Sequence, residues 1–123
     1  MKRILIVDDQ PPLRFLFKEI FGDASQYEVK VAGTCMDAKK ICETFTPDLA
    51  VVDVALPDQD GRMLLLDLKA SSKLEHCKIV LMSGIANADE ATLLSEVTVD
   101  LFLAKPFDIP EATKKVFALL ETK

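Results

Sequence analysis

One five-residue stretch, Leu49–Asp53, constrains the fold of this chain more than any other. Four apolar residues run directly into Asp53, and a loop rich in proline, glycine and aspartate follows at residues 54–61. An apolar run of this length predicts a strand buried on both faces, which is typical of a central strand in a parallel sheet. Because ligands bind at the carboxyl ends of such strands, Asp53 is a candidate functional residue. An acid in this place could equally cap the next helix or open a turn.

The rest of the chain alternates short apolar stretches with amphipathic ones. The other predicted strands are Lys2–Val7, Tyr27–Ala32, Lys78–Met82 and Leu101–Ala104. Helical spacing predicts helices from Pro11 to Gly22, from the capping residue Thr34 to an end at Pro47, from Gly61 to about Ser71, from about Ala88 to Glu96, and after the capping residue Asp108. The connections are short, and crossovers between parallel strands are right-handed. The sequence therefore predicts an α/β fold, a doubly wound, flavodoxin-like sheet of five parallel strands in the order 2-1-3-4-5 with five helices.

Length and composition exclude several classes of protein. A chain of 123 residues fits a single domain, 1–123. The formal net charge of −5 argues against a direct nucleic-acid surface, which needs clustered lysine and arginine. No apolar run approaches the ~20 residues that cross a membrane. The cysteines lack the spacing of a zinc or redox motif and are predicted to be reduced thiols of a cytoplasmic protein: Cys35, Cys42 and Cys77.

Four of the five predicted strands deliver polar residues to the same edge of the sheet. These residues are Asp8, Asp9, Asp53, Ser83 and Lys105. Three carboxylates in one place repel one another, so either some of them are protonated or a divalent cation lies between them. Mg²⁺ is favoured because it takes oxygen ligands and keeps positions open for water or phosphate oxygens. A carboxylate nucleophile, a hydroxyl donor and a lysine charge beside such an ion suit phosphoryl transfer to an aspartate.

In this order and on these strands, the motifs resemble the receiver domains of bacterial two-component response regulators. They are similar in particular to stand-alone receivers of the chemotaxis-regulator type, and the resemblance covers the chain from Lys2 to the last helix. The motifs that carry it are Asp8-Asp9 followed by Arg14, Asp53-x-x-x-Pro57-x-x-Asp60-Gly61, Ser83-Gly84 and Lys105-Pro106-Phe107.

The resemblance implies a role for each site residue. Asp53 is the phosphoacceptor, and Ser83 and Lys105 assist it. The implied ligands of Mg²⁺ are Asp8, Asp9, Asp53 and the backbone carbonyl of Ala55. Phe102 stands at the aromatic switch position and acts together with Ser83. The commoner residue there is tyrosine, so a switch at Phe102 works by ring packing rather than through a hydroxyl. The bond from Lys105 to Pro106 is expected to be cis.

The implied function is that of a phosphorylatable signalling domain rather than an enzyme with a separate substrate. The phosphoryl donor is a sensor histidine kinase or a histidine phosphotransfer protein, and the output is a downstream protein target. The domain catalyses only its own phosphotransfer and a slow autodephosphorylation. The autodephosphorylation is expected to be slow because the two side chains that flank the path of the attacking water in this family are here Ala55 and Ile85, and neither can hydrogen-bond a water. It is expected to be cytoplasmic, a monomer or a phosphorylation-dependent dimer, with no direct contact to nucleic acid or membrane and no cofactor besides Mg²⁺.

Each of these residues also has a plainer explanation. Asp9 could cap the first helix, Ser83-Gly84 could form an ordinary turn, Phe102 could be a core residue, and Lys105 could be a solvated loop charge. His76, the single histidine, is expected at the surface.

Two other classes of protein compete with a receiver. A haloacid-dehalogenase-type phosphatase needs a second aspartate where Ala55 stands. An FMN binder needs a phosphate-cradling loop where residues 8–12 carry two acids and two prolines. The chain could also be a receiver cut from a larger regulator or hybrid kinase, although Met1 directly before the first strand favours a natural N-terminus.

Overall fold

Five parallel strands form the centre of the protein, which is described here from a computed structural model. The structure describes residues 2–22, 26–84, 98–105 and 107–121. Within these ranges the elements are β1 (Lys2–Val7), α1 (Pro11–Gly22), β2 (Tyr27–Ala32), α2 (Cys35–Ile41), β3 (Leu49–Asp53), α3 (Gly61–Ala70), β4 (Lys78–Ser83), β5 (Leu101–Ala104) and α4 (Ile109–Glu121). The predicted helix at Ala88–Glu96, together with Ile85 and Pro106, lies outside the described residues.

The sheet has the order β2-β1-β3-β4-β5, and all four neighbouring pairs are parallel. This confirms the predicted fold class and strand order. All five residues of β3 are buried, as its apolar run predicts. The pairs Val7 with Val52, and Asp53 with Met82, bring the carboxyl ends of the central strands level with one another. Side chains that follow these strands therefore share one edge of the sheet.

Helices cover both faces of the sheet, which is why its central strands are apolar on both sides. Along β1, Leu5 and Val7 contribute to one buried cluster, while Ile4 and Ile6 contribute to the other. The first cluster is completed by residues of α2 and α3, including Cys35, Ala38, Leu64, Leu65 and Leu68. The second is completed by residues of α1 and α4, including Phe17, Phe21, Ala112, Val116 and Leu120. The buried residues of the central strands thus alternate between two helix-covered faces.

Helix α2 begins where its sequence predicts and ends earlier. The Thr34 side chain accepts a hydrogen bond from the Asp37 N–H, which confirms the predicted cap. The predicted end at Pro47 is wrong, because the helix stops at Ile41. The N–H of Thr44 bonds to the Ile41 carbonyl, three residues back, and this tightens the last turn out of the α-helical pattern. Phe45 is buried all the same, so the periodicity gave its burial correctly but not its conformation.

The three cysteines are free thiols, two of them buried and Cys77 half-buried. Burial raises the pKa of Cys35 to about 11 and that of Cys77 to about 12, so both stay protonated and unreactive near neutral pH. This agrees with the prediction of packed, reduced thiols. His76 is exposed, as expected. Among the described residues, no helix is both long and apolar enough to cross a membrane.

Candidate functional site

Three carboxylates meet at the carboxyl edge of the sheet, where β1 and β3 lie side by side. Oxygens of Asp8, Asp9 and Asp53 all lie within 4.8 Å of one another. Asp8 is 0% exposed and Asp53 is 4% exposed, whereas Asp9 is on the surface. The sheet order brings Asp8 next to Asp53 because β1 pairs directly with β3. The three acids that the sequence nominates therefore form one cluster.

Lys105 bridges the two buried members of this cluster. Its Nζ lies 2.9 Å from Asp8 Oδ2 and 2.7 Å from Asp53 Oδ2. The residue directly follows β5, and only 18% of its side chain is exposed. The alternative that Lys105 is a solvated loop charge is therefore wrong.

Backbone N–H groups fix the other oxygen of each buried carboxylate. The N–H of Gln10 donates to Asp8 Oδ1 at 2.7 Å, and the N–H of Ala55 donates to Asp53 Oδ1 at 3.1 Å. Each carboxylate thus has one oxygen on the backbone and one on Lys105. This arrangement sets the orientation of Asp53 before any reaction takes place.

Burial and the contacts between Lys105 and the acids shift the pKa values of two members of the cluster. Burial raises the pKa of the Asp8 carboxyl above its ordinary value, although Lys105 and the Gln10 N–H favour its charged form. Burial alone lowers the pKa of Lys105, but its contacts with Asp53 and Asp8 outweigh this and raise that pKa. Three carboxylates and one ammonium leave a formal charge of −2 in this group.

This donor set fits a small, hard divalent cation. The donors are all carboxylate oxygens, and the hydrogen-bonded oxygens of Asp8 and Asp53 each keep a second lone pair for a cation. A divalent ion would also cancel the formal charge of −2. Oxygen-only coordination with a few carboxylates is typical of Mg²⁺ sites.

The loop after Asp53 returns close to β3 and begins α3. The N–H of Gly61 donates to the Val54 carbonyl at 2.8 Å, and Ala55 and Asp60 form an antiparallel bridge. Asp60 caps α3, since its side chain accepts the Arg62 N–H at 2.8 Å and pairs with the Arg62 guanidinium. The motif Asp60-Gly61 thus has a direct structural use, which is to bring α3 back against the strand that carries Asp53.

A further carboxylate, Asp58, ties this loop to α2, a contact that the sequence analysis did not predict. Asp58 Oδ1 accepts the Cys35 N–H at 2.9 Å, and Oδ2 accepts the Met36 N–H at 3.0 Å. An acid in a turn is too common a signal to reveal a partner more than twenty residues away.

The two remaining predicted residues lie on neighbouring strands, Ser83 at the carboxyl edge and Phe102 two residues before the end of β5. Ser83 is 3% exposed and ends β4, one residue beyond the predicted strand, and the residues that would complete a turn at Ser83-Gly84 lie outside the described ranges. Its carbonyl accepts the Lys105 N–H at 2.7 Å. Phe102 lies opposite Leu81 in the sheet and packs, half-buried, against the first core cluster. Its roles as core residue and as switch residue both remain predictions.

Comparison with known proteins identifies relatives of the whole chain. The family model of the response regulator receiver domain matches residues 4–117. The sporulation initiation phosphotransferase F of Bacillus subtilis (strain 168) is 32% identical over 121 residues, covering 96% of this chain and 95% of that protein. The virulence transcriptional regulatory protein PhoP of Salmonella typhimurium (strain 14028s / SGSC 2262) is also 32% identical and matches 98% of this chain, but this chain spans only 52% of that regulator.

Solved structures agree with this assignment. A CheY-like response regulator receiver domain protein from Methanospirillum hungatei JF-1 has a TM-score of 0.82 and 29% sequence identity, over 98% of this chain and 94% of that one. The chain therefore belongs to the response regulator receiver domain family, a family of signalling domains of two-component systems.

Proposed function

We propose that this chain accepts a phosphoryl group on Asp53 from the phosphohistidine of a sensor histidine kinase or histidine phosphotransfer protein. The observation that carries this proposal is the convergence of Asp8, Asp9 and Asp53 within 4.8 Å, with Lys105 bound to the two buried acids. Family membership supports it independently. Residues 1–123 then act as one receiver domain.

The chemistry is an in-line displacement at phosphorus. An oxygen of Asp53 forms a bond to phosphorus while the bond from phosphorus to the donor imidazole nitrogen breaks, and the imidazole leaves with the electron pair and takes up a proton. The product is an aspartyl phosphate. The Ala55 N–H and Lys105 hold the Asp53 carboxylate in place before the donor arrives, so little reorganisation is needed in the transition state. Lys105 and the Ser83 hydroxyl then act on the phosphoryl oxygens.

Mg²⁺ is the proposed cofactor, held by Asp8, Asp9, Asp53 and the backbone carbonyl of Ala55. When bound, it supplies positive charge to the oxygens of the transferring group. The formal charge of −2 on the cluster supports an ion of this valence.

The proposed output is a change in a protein-binding surface around Phe102. Ser83 and Lys105 are joined through the Ser83 carbonyl, so a shift of either toward a phosphoryl group moves the ends of β4 and β5 together. Phe102 lies three residues before Lys105 and is half-buried, which leaves its ring room to repack. The reader is a downstream protein or a second, phosphorylated copy, and the proposed compartment is the cytoplasm. No direct contact with nucleic acid or membrane is proposed.

Labelling with a small phosphodonor tests the proposal. The protein is incubated with acetyl phosphate and Mg²⁺, and its intact mass is measured. We expect the mass of one added phosphoryl group in the wild type, none in Asp53→Asn, and an unchanged yield in Asp67→Asn. Asp67 is the matched control because it lies on α3 in a surface pair with Lys39. An unlabelled wild type, or equal labelling of Asp53→Asn, would contradict the proposal.

A further inference from the structure

Asp58 makes two of the hydrogen bonds that join the loop after Asp53 to α2. Both of its carboxylate oxygens are used, one on the Cys35 N–H at 2.9 Å and one on the Met36 N–H at 3.0 Å. These two bonds hold the pKa of the Asp58 carboxyl below its usual range. We call this pair of bonds the Asp58 latch. It connects the start of α2 with the loop that follows Asp53.

The latch is not required to begin α2. The first N–H groups of any helix lack partners within the helix. In α2 these N–H groups have two different acceptors. Thr34 accepts the Asp37 N–H locally, while Asp58, from a distant loop, accepts the N–H groups of Cys35 and Met36. A helix with its own Thr34 cap gains some stability from Asp58, but the loop gains an anchor that nothing local provides.

Neighbouring contacts fasten the same part of the loop. The Cys35 thiol donates to the Gln59 carbonyl at 3.6 Å, and Lys39 Nζ lies 3.5 Å from Gln59 Oε1. At the other end of the loop, the Val54 N–H donates to the Met82 carbonyl at 2.8 Å. The loop is thus held on β4 at its start and on α2 at its far side, with Ala55 between the two attachments.

We propose that Asp58 is a positioning residue for the metal and phosphoacceptor site. By holding the loop against α2, the latch fixes Ala55, whose N–H orients Asp53 and whose carbonyl is among the proposed ligands of the cation. Groups that hold metal ligands in place commonly matter for affinity almost as much as the ligands themselves. The inference rests on the proposed function, since it concerns the same Mg²⁺ site.

Mg²⁺ titration by calorimetry separates this role from simple helix stabilisation. Asp58→Ala removes the latch, and we expect it to raise the Kd for Mg²⁺ by about 10-fold, the lower end of the usual effect of such supporting groups. Thr34→Ala is the matched control, because it removes a cap from the same helix and leaves the loop attached. We expect it to lower the melting temperature without changing the Kd. An equal Kd in wild type and Asp58→Ala would overturn the inference.

Two further measurements control for the loss of charge and for misfolding in Asp58→Ala. Removing a negative charge can weaken cation binding through space, and this effect is screened at about 0.5 M NaCl, where the Debye length is only a few ångströms. The ratio of Kd values between Asp58→Ala and wild type should persist in that salt, and a ratio that falls to one would overturn the inference. Asp58→Asn keeps the shape of the side chain and one acceptor oxygen, so we expect its affinity for Mg²⁺ to lie between those of the wild type and Asp58→Ala. It replaces Asp58→Ala in the titration if Asp58→Ala does not fold.

The same titration separates the proposed Mg²⁺ site from the positioning role of Asp58. A wild type that binds no Mg²⁺ would overturn the proposed metal site and this inference with it. A wild type that binds Mg²⁺ normally, beside an Asp58→Ala protein of equal affinity, would leave the proposed function intact and remove only the positioning role.

Discussion

Gly61 is the residue at which the site depends on the absence of a side chain. A Cβ built on Gly61 would lie 1.9 Å from the carbonyl oxygen of Asp53 and 2.9 Å from Val52 Cγ1. The nearest atom belongs to the backbone of β3, so it cannot rotate away as a flexible side chain could. Glycine therefore lets α3 begin directly against the strand that carries the phosphoacceptor candidate.

Gly61→Ala should destabilise the protein because the loop or β3 must shift to admit the methyl group. We expect the free energy of unfolding to fall by about 1–3 kcal/mol, the usual cost of overpacking. Gly84→Ala is the matched control, because a Cβ there meets no atom of the described residues within 4 Å. Urea denaturation of both variants measures the difference, and equal stability of the two would show that the loop yields without strain.

At the scale of an element, α3 owes its start to a charged cap. Asp60 accepts the Arg62 N–H and pairs with the Arg62 guanidinium. The side-chain contact with Arg62, with help from the backbone bond, holds the pKa of the Asp60 carboxyl below its ordinary value of 3.8. A carboxyl whose pKa is lower in the folded than in the unfolded protein stabilises the fold above the unfolded pKa. That stabilisation is lost as the pH falls through the folded pKa.

Asp60→Asn isolates this charge, since asparagine caps helices about as well as aspartate. At pH 7 we expect the wild type to be more stable by up to about 1 kcal/mol, the range of partly exposed ion pairs. The difference should begin to shrink as the pH falls below 3.8, and it should vanish below the lower pKa of the folded carboxyl, where Asp60 is protonated in both the folded and the unfolded protein. Urea denaturation at pH 7 and at pH 3 measures it. A difference that stays constant with pH would mean that the charge contributes nothing.

The edge strand β5 carries the proposed switch. Phe102→Ala removes a half-buried ring and no ligand of the site, so labelling of Asp53 by acetyl phosphate should be nearly unchanged. The changes in amide NMR shifts of β4 and β5 on phosphorylation should become smaller. Phe117→Ala is the matched control, because Phe117 packs against the other core cluster. If Phe102→Ala lowers labelling instead, Phe102 is a core residue that supports the site.

Elements with strong local signals were predictable from the sequence, and those that depend on distant partners were not. The five strands and the starts of α1, α2, α3 and α4 follow from apolar runs, prolines and capping residues within a few positions. The end of α2 depends on hydrogen bonds three residues apart, which compete with an intact apolar period up to Phe45. The Asp58 latch depends on two segments meeting in space, and no short window of sequence contains both.

At the scale of the whole molecule, the strand order brings together site residues that lie far apart in the sequence. Lys105 is 97 residues from Asp8 and 52 residues from Asp53, yet it binds both. The strand order predicts that the three share one edge, because β1, β3, β4 and β5 are neighbours and run in the same direction. The strand order does not predict the distances between these side chains. Nor does it predict that each buried carboxylate places one oxygen on Lys105 and the other on a backbone N–H. Those follow from packing of the complete fold.

The same topology concentrates charge at one edge of the molecule, and this predicts a dependence of stability on Mg²⁺. A ligand that binds only the folded state stabilises it by about 1.4 kcal/mol at ten times its Kd. For a domain of this size, that raises the melting temperature by several degrees. We expect such a rise in millimolar MgCl₂, a smaller one in Asp53→Asn, and an unchanged one in the surface variant Asp67→Asn.

The comparison must be made at matched ionic strength. NaCl weakens the repulsion among exposed charges but cannot replace a divalent ion between buried carboxylates, so NaCl alone should raise the melting temperature less than MgCl₂. Asp8 and Asp53 are nearly inaccessible to solvent, and their repulsion is therefore poorly screened by salt. A melting temperature that responds equally to both salts, or a full Mg²⁺ response in Asp53→Asn, would place the cation elsewhere and contradict the proposed metal site.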